Sequence, residues 1–68
     1  MYGNLIKEMK ISGVTIDDVA KTMQSHRNTA SNKIYGRTQL SLEEAEMIWK
    51  EHFPYCDFQE LFKKSNQH

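Results

Sequence analysis

The apolar positions of this chain recur every three or four residues in short segments, and they do not alternate with polar positions as in a strand. In the first segment Leu5 and Met9 lie four residues apart, and Gly13 is placed to end a helix. We predict a first helix from about Asn4 to Ser12, with the Asn4 side chain as its N-terminal cap.

A second helix is predicted from Thr15 to about Gln24. The Thr15 hydroxyl can accept a hydrogen bond from a backbone N–H of the first turn. Asp17 and Asp18 follow it, and carboxylates favour the positive end of the helix dipole. One side of this helix is apolar and consists of Ile16, Val19, Ala20 and Met23.

A third helix is predicted to begin after Ser25–His26 and to reach Ile34–Tyr35, with Gly36 placed to close it. On a helical wheel Ala30 and Ile34 share one side, which we expect to pack inward. The other side is polar and contains no carboxylate; it consists of Arg27, Asn28, Ser31, Asn32 and Tyr35.

A fourth helix begins at Ser41, because Glu44 follows at the spacing of a capping box. Its apolar stripe is the densest in the chain and consists of Leu42, Ala45, Ile48, Trp49 and Phe53. Pro54 marks its end. Asp57 and Glu60 repeat the capping pattern for a last short helix, which carries Phe58, Leu61 and Phe62.

Five short helices with tight connections predict an all-α fold, a compact five-helix bundle. The 68 residues are enough for one domain. We assign that domain to residues 1–64 and expect a frayed polar tail at 65–68. A chain this short buries only about three-fifths of the surface that its unfolded form exposes, which leaves little room for an enclosed catalytic cavity. We therefore expect a protein that works with its outer surface.

The aromatic residues are concentrated in the last third of the sequence: Trp49, Phe53, Tyr55, Phe58 and Phe62. Most of them are expected in the core. So small a bundle cannot hide them all, and an exposed apolar face often binds a partner. Tyr55, Phe58 and Phe62 are the candidates for a dimer or partner face.

Cys56 is the single cysteine, which excludes an internal disulfide and favours a reducing compartment. We expect it to be a small, buried and inert thiol. No apolar run approaches the ~20 residues of a membrane helix. The N-terminal segment carries charges where a signal peptide is apolar. These features predict a soluble cytoplasmic protein with no membrane partner.

The sequence does not favour an enzyme. His26, His52 and His68 are far apart and lack a cysteine or carboxylate at metal-ligand spacing. No glycine-rich loop is present that would cradle a phosphate. We expect no metal, no cofactor and no small-molecule ligand.

The net charge is zero, with nine basic and nine acidic residues, but the charges are segregated. Residues 21–40 contain Lys21, Arg27, Lys33 and Arg37 and no carboxylate. Residues 41–62 contain six carboxylates against Lys50 alone. A neutral total is unusual for a nucleic-acid-binding protein, because phosphate contacts usually supply much of the affinity. The basic middle segment is the part suited to that role.

The polar side of the third helix has the residue types that recognise bases. Asparagine can form paired hydrogen bonds with adenine, and arginine can do so with guanine. The alternative is a solvated helix face, but such a face usually mixes glutamate with lysine. Asn, Ser and Thr are poor helix formers, and five of them surround this helix: Ser25, Asn28, Thr29, Ser31 and Asn32. Such a local conflict favours a functional surface.

The pattern resembles the helix-turn-helix of the phage repressor and Cro family. The segment Gly13–Thr15 resembles the family's Gly-Leu-Thr entry, and Ala20 occupies its small helix-packing position. The segment His26–Ser31 resembles the start of the recognition helix, Ser-Arg-Ser-Thr-Ile-Ser. Ile34–Thr38 is similar to the turn that follows, and Ser41–Ala45 to the next helix start. The resemblance covers about residues 5–62.

The resemblance implies a lambda-repressor-like bundle with its helix-turn-helix at about residues 15–35. It also implies a sequence-specific transcriptional regulator, Cro-like, associated with the nucleoid in the cytoplasm of a bacterial host cell. Such a regulator binds a palindromic DNA operator in a phage genetic switch, and a two-fold operator would need a dimer. In that family the second helix of the pair lies in the major groove. By position, the base-reading residues would be Arg27, Asn28 and Asn32, with Thr29 and Ser31 at the groove edge. The phosphate-binding residues would be His26, Lys33, Tyr35, Arg37 and Thr38.

Three positions depart from the family pattern. Ile16 replaces a glutamine that commonly binds a phosphate. Gln24 replaces the glycine of the turn, so it must adopt a left-handed conformation or reshape the turn. Ser25 replaces an apolar residue. The missing glutamine at position 16, the neutral charge and the acidic flanking segments also suit an alternative, an anti-repressor that binds a phage repressor protein through the same surface.

Overall fold

The computed structural model describes residues 1–64, which are all-helical and contain no strand. The predicted order of five helices is confirmed in this part of the chain. The helices are α1 (Gly3–Ser12), α2 (Ile16–Met23), α3 (Arg27–Ile34), α4 (Leu42–His52) and α5 (Phe58–Leu61). The polar tail predicted at 65–68 lies outside the described residues.

Side-chain caps fix the starts of α2, α4 and α5 as predicted. Thr15 Oγ1 accepts from the N–H of Asp18 at 3.2 Å, while the Asp18 carboxylate accepts from the N–H of Thr15 at 2.9 Å. Ser41 and Glu44 form the same reciprocal pair at the start of α4. At α5, the Asp57 carboxylate accepts from the N–H of Glu60 at 3.0 Å. Each cap satisfies a backbone donor that has no partner within its own helix.

The cap predicted at Asn4 is wrong. Helix α1 begins one residue earlier, at Gly3, and its N-cap Tyr2 makes no side-chain cap. Asn4 instead donates from Nδ2 to the carbonyl oxygen of Glu60 at 2.8 Å. The amide thus joins the first helix to the last.

All five helices contribute to the core. Its fully enclosed side chains come from all parts of the chain: Leu5, Val19, Ile34, Ile48, Phe53 and Leu61. Burial of one such side chain contributes about 1.5–3 kcal/mol, so these positions account for much of the stability of so small a domain.

The aromatic residues of the last third pack mainly within the protein. Phe58 lies edge-on to Trp49 with ring centroids 5.5 Å apart, and 5.1 Å from the ring of Phe62. Tyr55 is 67% exposed, although its hydroxyl lies 2.9 Å from Ser12 Oγ. Of the three candidate partner-face residues, Tyr55 is therefore the one that offers most of its ring to a partner. Cys56 is half-buried rather than enclosed, and burial raises the pKa of its thiol.

Candidate functional site

The connection between α2 and α3 is three residues long and is set by Gln24. Gln24 adopts the left-handed conformation, with φ of 55°, so the first of the two predicted alternatives is the one found. The turn is closed by a hydrogen bond from the N–H of Ser25 to the carbonyl of Ala20 at 2.9 Å. Ser25 Oγ is buried and has no hydrogen-bond partner among residues 1–64. Ser25, at a position that is apolar in the resembled family, is therefore buried without a side-chain hydrogen bond.

Helix α3 packs on α2 and turns its polar side outward. Ala30 and Ile34 are fully buried, as the wheel predicts. Arg27 and Asn28 are exposed at the first turn of α3. The remaining polar residues of the helix are half-buried: Thr29, Ser31, Asn32 and Lys33. The outward surface of α3 is therefore most accessible at its N-terminal end.

The start of α3 lacks a side-chain cap. Its N-cap residue His26 is exposed and makes no capping hydrogen bond, whereas α2, α4 and α5 are all capped by side chains. The first backbone N–H groups of α3 have no partner within the helix. Together with the helix dipole they form a region of positive potential that suits an anion.

Arg27 lies beside an acidic side chain of α2. Its Nε is 3.8 Å from Asp17 Oδ1, and both side chains are more than half exposed. An exposed pair at this distance contributes little to stability. Its importance is electrostatic, because it places a carboxylate next to the first turn of α3. From the sequence Asp17 was expected only to favour the positive end of the α2 dipole, and its position beside Arg27 was not predicted.

The C-terminal end of α3 brings together Asn32, Arg37 and Thr38. The N–H groups of Arg37 and Thr38 donate to the carbonyl of Asn32, at 2.8 and 3.3 Å. Arg37 Nη1 also donates to Asn32 Oδ1 at 3.3 Å. Tyr35 and Arg37 are exposed here, so the cationic and hydroxyl groups of this end face solvent.

Lys33 faces a different direction. Its Nζ lies 2.5 Å from Glu44 Oε2, and both side chains are only 20% exposed. This hydrogen bond, partly offset by desolvation, holds the pKa of the Glu44 carboxyl below its ordinary value. The same carboxylate accepts from the N–H of Ser41, so it joins α3 to the start of α4. The ammonium group of Lys33 is therefore paired with Glu44 within the protein.

A mainly apolar surface pocket of about 180 Å³ adjoins the C-terminal end of α3. It is lined by Ile6, Met9, Lys10, Val14, Thr15, Ile16 and Tyr35. Ile16, one of the three residues that depart from the pattern of the resembled family, is half-buried and lines this pocket. Tyr35 contributes to the pocket and to the outward surface of α3, so the two are continuous.

Within residues 1–64 no helix combines the length and apolar character of a membrane span, and no cluster of three metal-ligating side chains is present. No protein-family model, no curated protein and no solved structure matches this chain. The likeness to the phage repressor family therefore stays a resemblance of motifs. A functional proposal has to rest on the geometry of α3 and its neighbours.

Proposed function

We propose that this protein is a sequence-specific DNA-binding regulator, Cro-like, which inserts α3 into the major groove. The observation that carries the proposal is the start of α3. An exposed arginine and an exposed asparagine stand there beside an uncapped helix end, and α3 itself bears no carboxylate. This combination offers base-edge hydrogen bonds and an anion site at the same place.

The proposed contacts follow from the positions of the side chains. Arg27 and Asn28 reach base edges, with guanine and adenine as their preferred partners. The first N–H groups of α3 and His26 hold a phosphate on one side. Arg37, Thr38 and the Tyr35 hydroxyl hold a phosphate at the other end. Lys33 is left out of this set because its ammonium group is paired with Glu44.

Two copies on a palindromic operator would place two α3 helices in successive major grooves, about 34 Å apart. The exposed Tyr55 is the candidate for contact between the copies. The residues whose side chains make these contacts are all exposed: His26, Arg27, Asn28, Tyr35, Arg37, Thr38 and Tyr55.

The proposal is tested by selection from a random 20-base-pair duplex library with the full chain. Affinities for the selected duplex and for a scrambled duplex are then measured by fluorescence anisotropy between about 50 and 200 mM salt. We expect the selected duplex to bind more tightly and its affinity to fall steeply with salt. If no duplex is enriched at about 50 mM salt, where phosphate contacts are strongest, the proposal is rejected.

Single substitutions separate base contacts from phosphate contacts. Asn28→Ala is expected to reduce discrimination between the two duplexes by about 1–3 kcal/mol. Arg37→Ala is expected to weaken both duplexes alike and to lower the salt slope by about one. Lys50→Ala removes a cation from the exposed side of α4 and serves as the matched control, with a much smaller effect.

A second function, binding of a phage repressor protein, is favoured by the pocket at Ile16. At position 16, where the resembled family has a phosphate-binding glutamine, the protein has the apolar Ile16, which lies beside Ile6, Met9 and Val14 in the pocket. The next residue, Asp17, adds a carboxylate beside Arg27. An apolar side chain of a protein partner fits this place better than a phosphate does.

Ile16→Gln distinguishes the two functions because it puts an amide donor into the pocket. DNA binding predicts a gain of affinity for the selected duplex. Repressor binding predicts a loss of affinity for a phage repressor protein that the wild-type chain binds, measured by isothermal titration calorimetry.

A further inference from the structure

Asn32 lies on the polar side of α3, and its side-chain amide already forms a hydrogen bond with Arg37 in the free protein. Its Oδ1 accepts a hydrogen bond from Arg37 Nη1 at 3.3 Å. Its backbone carbonyl accepts from the N–H of Arg37 at 2.8 Å and from that of Thr38 at 3.3 Å. Asn28, one turn earlier, is exposed, and its side chain makes no hydrogen bond within residues 1–64.

The backbone after α3 makes this arrangement possible. Gly36 has φ of 83°, a left-handed conformation that turns the chain back across the last turn of the helix. Arg37 therefore lies beside Asn32, five positions earlier, instead of continuing away from it. The side-chain and backbone contacts to Asn32 together restrict the guanidinium to one end of α3.

An asparagine that reads adenine must direct both its oxygen and its amide nitrogen at one base edge. The oxygen of Asn32 is directed at Arg37 instead. Arginine suits a phosphate because its fork of donors matches the oxygens, and a fork held in place loses less entropy on binding.

We infer that Asn32 is a positioning residue, which holds the Arg37 guanidinium for a phosphate, and that base discrimination comes from Arg27 and Asn28 alone. The inference rests on the proposed function for the identity of the anion. The restraint of Arg37 by Asn32 is a property of the free protein and does not depend on DNA.

The restraint is measured first, by ¹⁵N relaxation of the arginine Nε–H groups in the free full chain. We expect Arg37 to be more ordered in the wild-type chain than in Asn32→Ala. Asn32→Asp, which keeps an acceptor, should preserve the order of Arg37. Unchanged order of Arg37 in Asn32→Ala overturns the inference, whether or not the protein binds any duplex.

The role in binding is measured by a double-mutant cycle with the selected and scrambled duplexes. Arg37→Ala is expected to lower affinity about tenfold at ~50 mM salt, the loss of one phosphate contact. Asn32→Ala should lower affinity several-fold by the same factor for both duplexes. It should have no further effect in the Arg37→Ala background, because the two residues act as one unit.

Two results would overturn the inference in this second experiment. One is a loss of discrimination at a particular base pair in Asn32→Ala, which would make Asn32 a base reader. The other is a loss of affinity on adding Asn32→Ala to Arg37→Ala that is as large as the loss that Asn32→Ala causes alone. If the wild-type chain selects no duplex while Asn32→Ala releases Arg37, the proposed function fails and the positioning of Arg37 by Asn32 is upheld.

Discussion

At the scale of single residues, two glycines with left-handed backbones have different surroundings. Gly36 has φ of 83°, and a Cβ added there would lie 2.8 Å from the backbone nitrogen of Met1. Gly13 has φ of 75°, and a Cβ added there would meet nothing within 4 Å. The two positions share the conformational strain, but only Gly36 adds a steric conflict between the end of α3 and the N-terminus.

We expect Gly13→Ala to lower the free energy of unfolding by about 1 kcal/mol, the cost of a left-handed alanine. Gly36→Ala should lower it by about 2–3 kcal/mol, because the backbone of Met1 must also move. Urea unfolding followed by tryptophan fluorescence gives both values. Equal losses of unfolding free energy would show that the backbone of Met1 moves away from a Cβ at position 36 at no cost.

A second prediction at this scale concerns Asp17. Asp17→Asn removes the carboxylate 3.8 Å from Arg27 and leaves the size of the side chain unchanged. We expect affinity for the selected duplex to rise several-fold at low salt, because repulsion of nearby phosphates is lost. Asp57→Asn, a carboxylate change at the start of α5, is the matched control. Lower affinity in Asp17→Asn would mean that the Arg27–Asp17 pair orients Arg27 for binding.

At the scale of helices, Glu44 links α3 to α4, and its titration should be visible in the stability. Its folded pKa lies below the ordinary 4.5, first because of the hydrogen bond from Lys33. A carboxyl whose pKa is lower in the folded than in the unfolded state stabilises the folded protein at a pH above its unfolded pKa. This stabilisation is lost as the pH falls below about 4.5 and through the folded pKa. Glu44→Gln should therefore have a smaller free energy of unfolding at pH 7, and that free energy should fall less steeply with pH in the acidic range. An unchanged decline, measured by urea unfolding, would place its source elsewhere, with Asp18 as the next group whose pKa is lowered.

The helices also mark how far sequence alone could go. The caps at Thr15, Ser41 and Asp57 join residues three apart, so the spacing of residue types was enough to predict them. Asn4 was misassigned because its partner, Glu60, is 56 residues away. Spacing likewise could not show that Lys33 pairs with Glu44 of α4. A helical wheel gives the side of α3 on which Lys33 lies, but not which other helix packs against that side.

At the scale of the whole molecule, the protein is neutral although the proposed DNA-binding segment is basic. The exposed carboxylates Glu43 and Glu46 on α4 contribute a negative field that opposes the attraction of phosphates. Salt at 0.1 M screens such a field beyond about 10 Å. Such a field acts on any duplex equally, because phosphate attraction carries no sequence information. We infer that neutrality limits non-specific binding to DNA and lowers the affinity for the selected duplex by the same factor.

This argument predicts that Glu43→Gln/Glu46→Gln tightens binding to the scrambled duplex severalfold at ~50 mM salt and loses that effect at ~200 mM. The selected duplex should gain by no more than the same factor, so the ratio of the two affinities does not rise. Lys63→Gln/Lys64→Gln, at the end of the described chain, changes the net charge by the same amount in the opposite direction. It should weaken both duplexes. If the acidic double variant instead improves the selected duplex alone, the carboxylates of α4 act at the operator contact itself, and α4 belongs to the recognition surface together with α3.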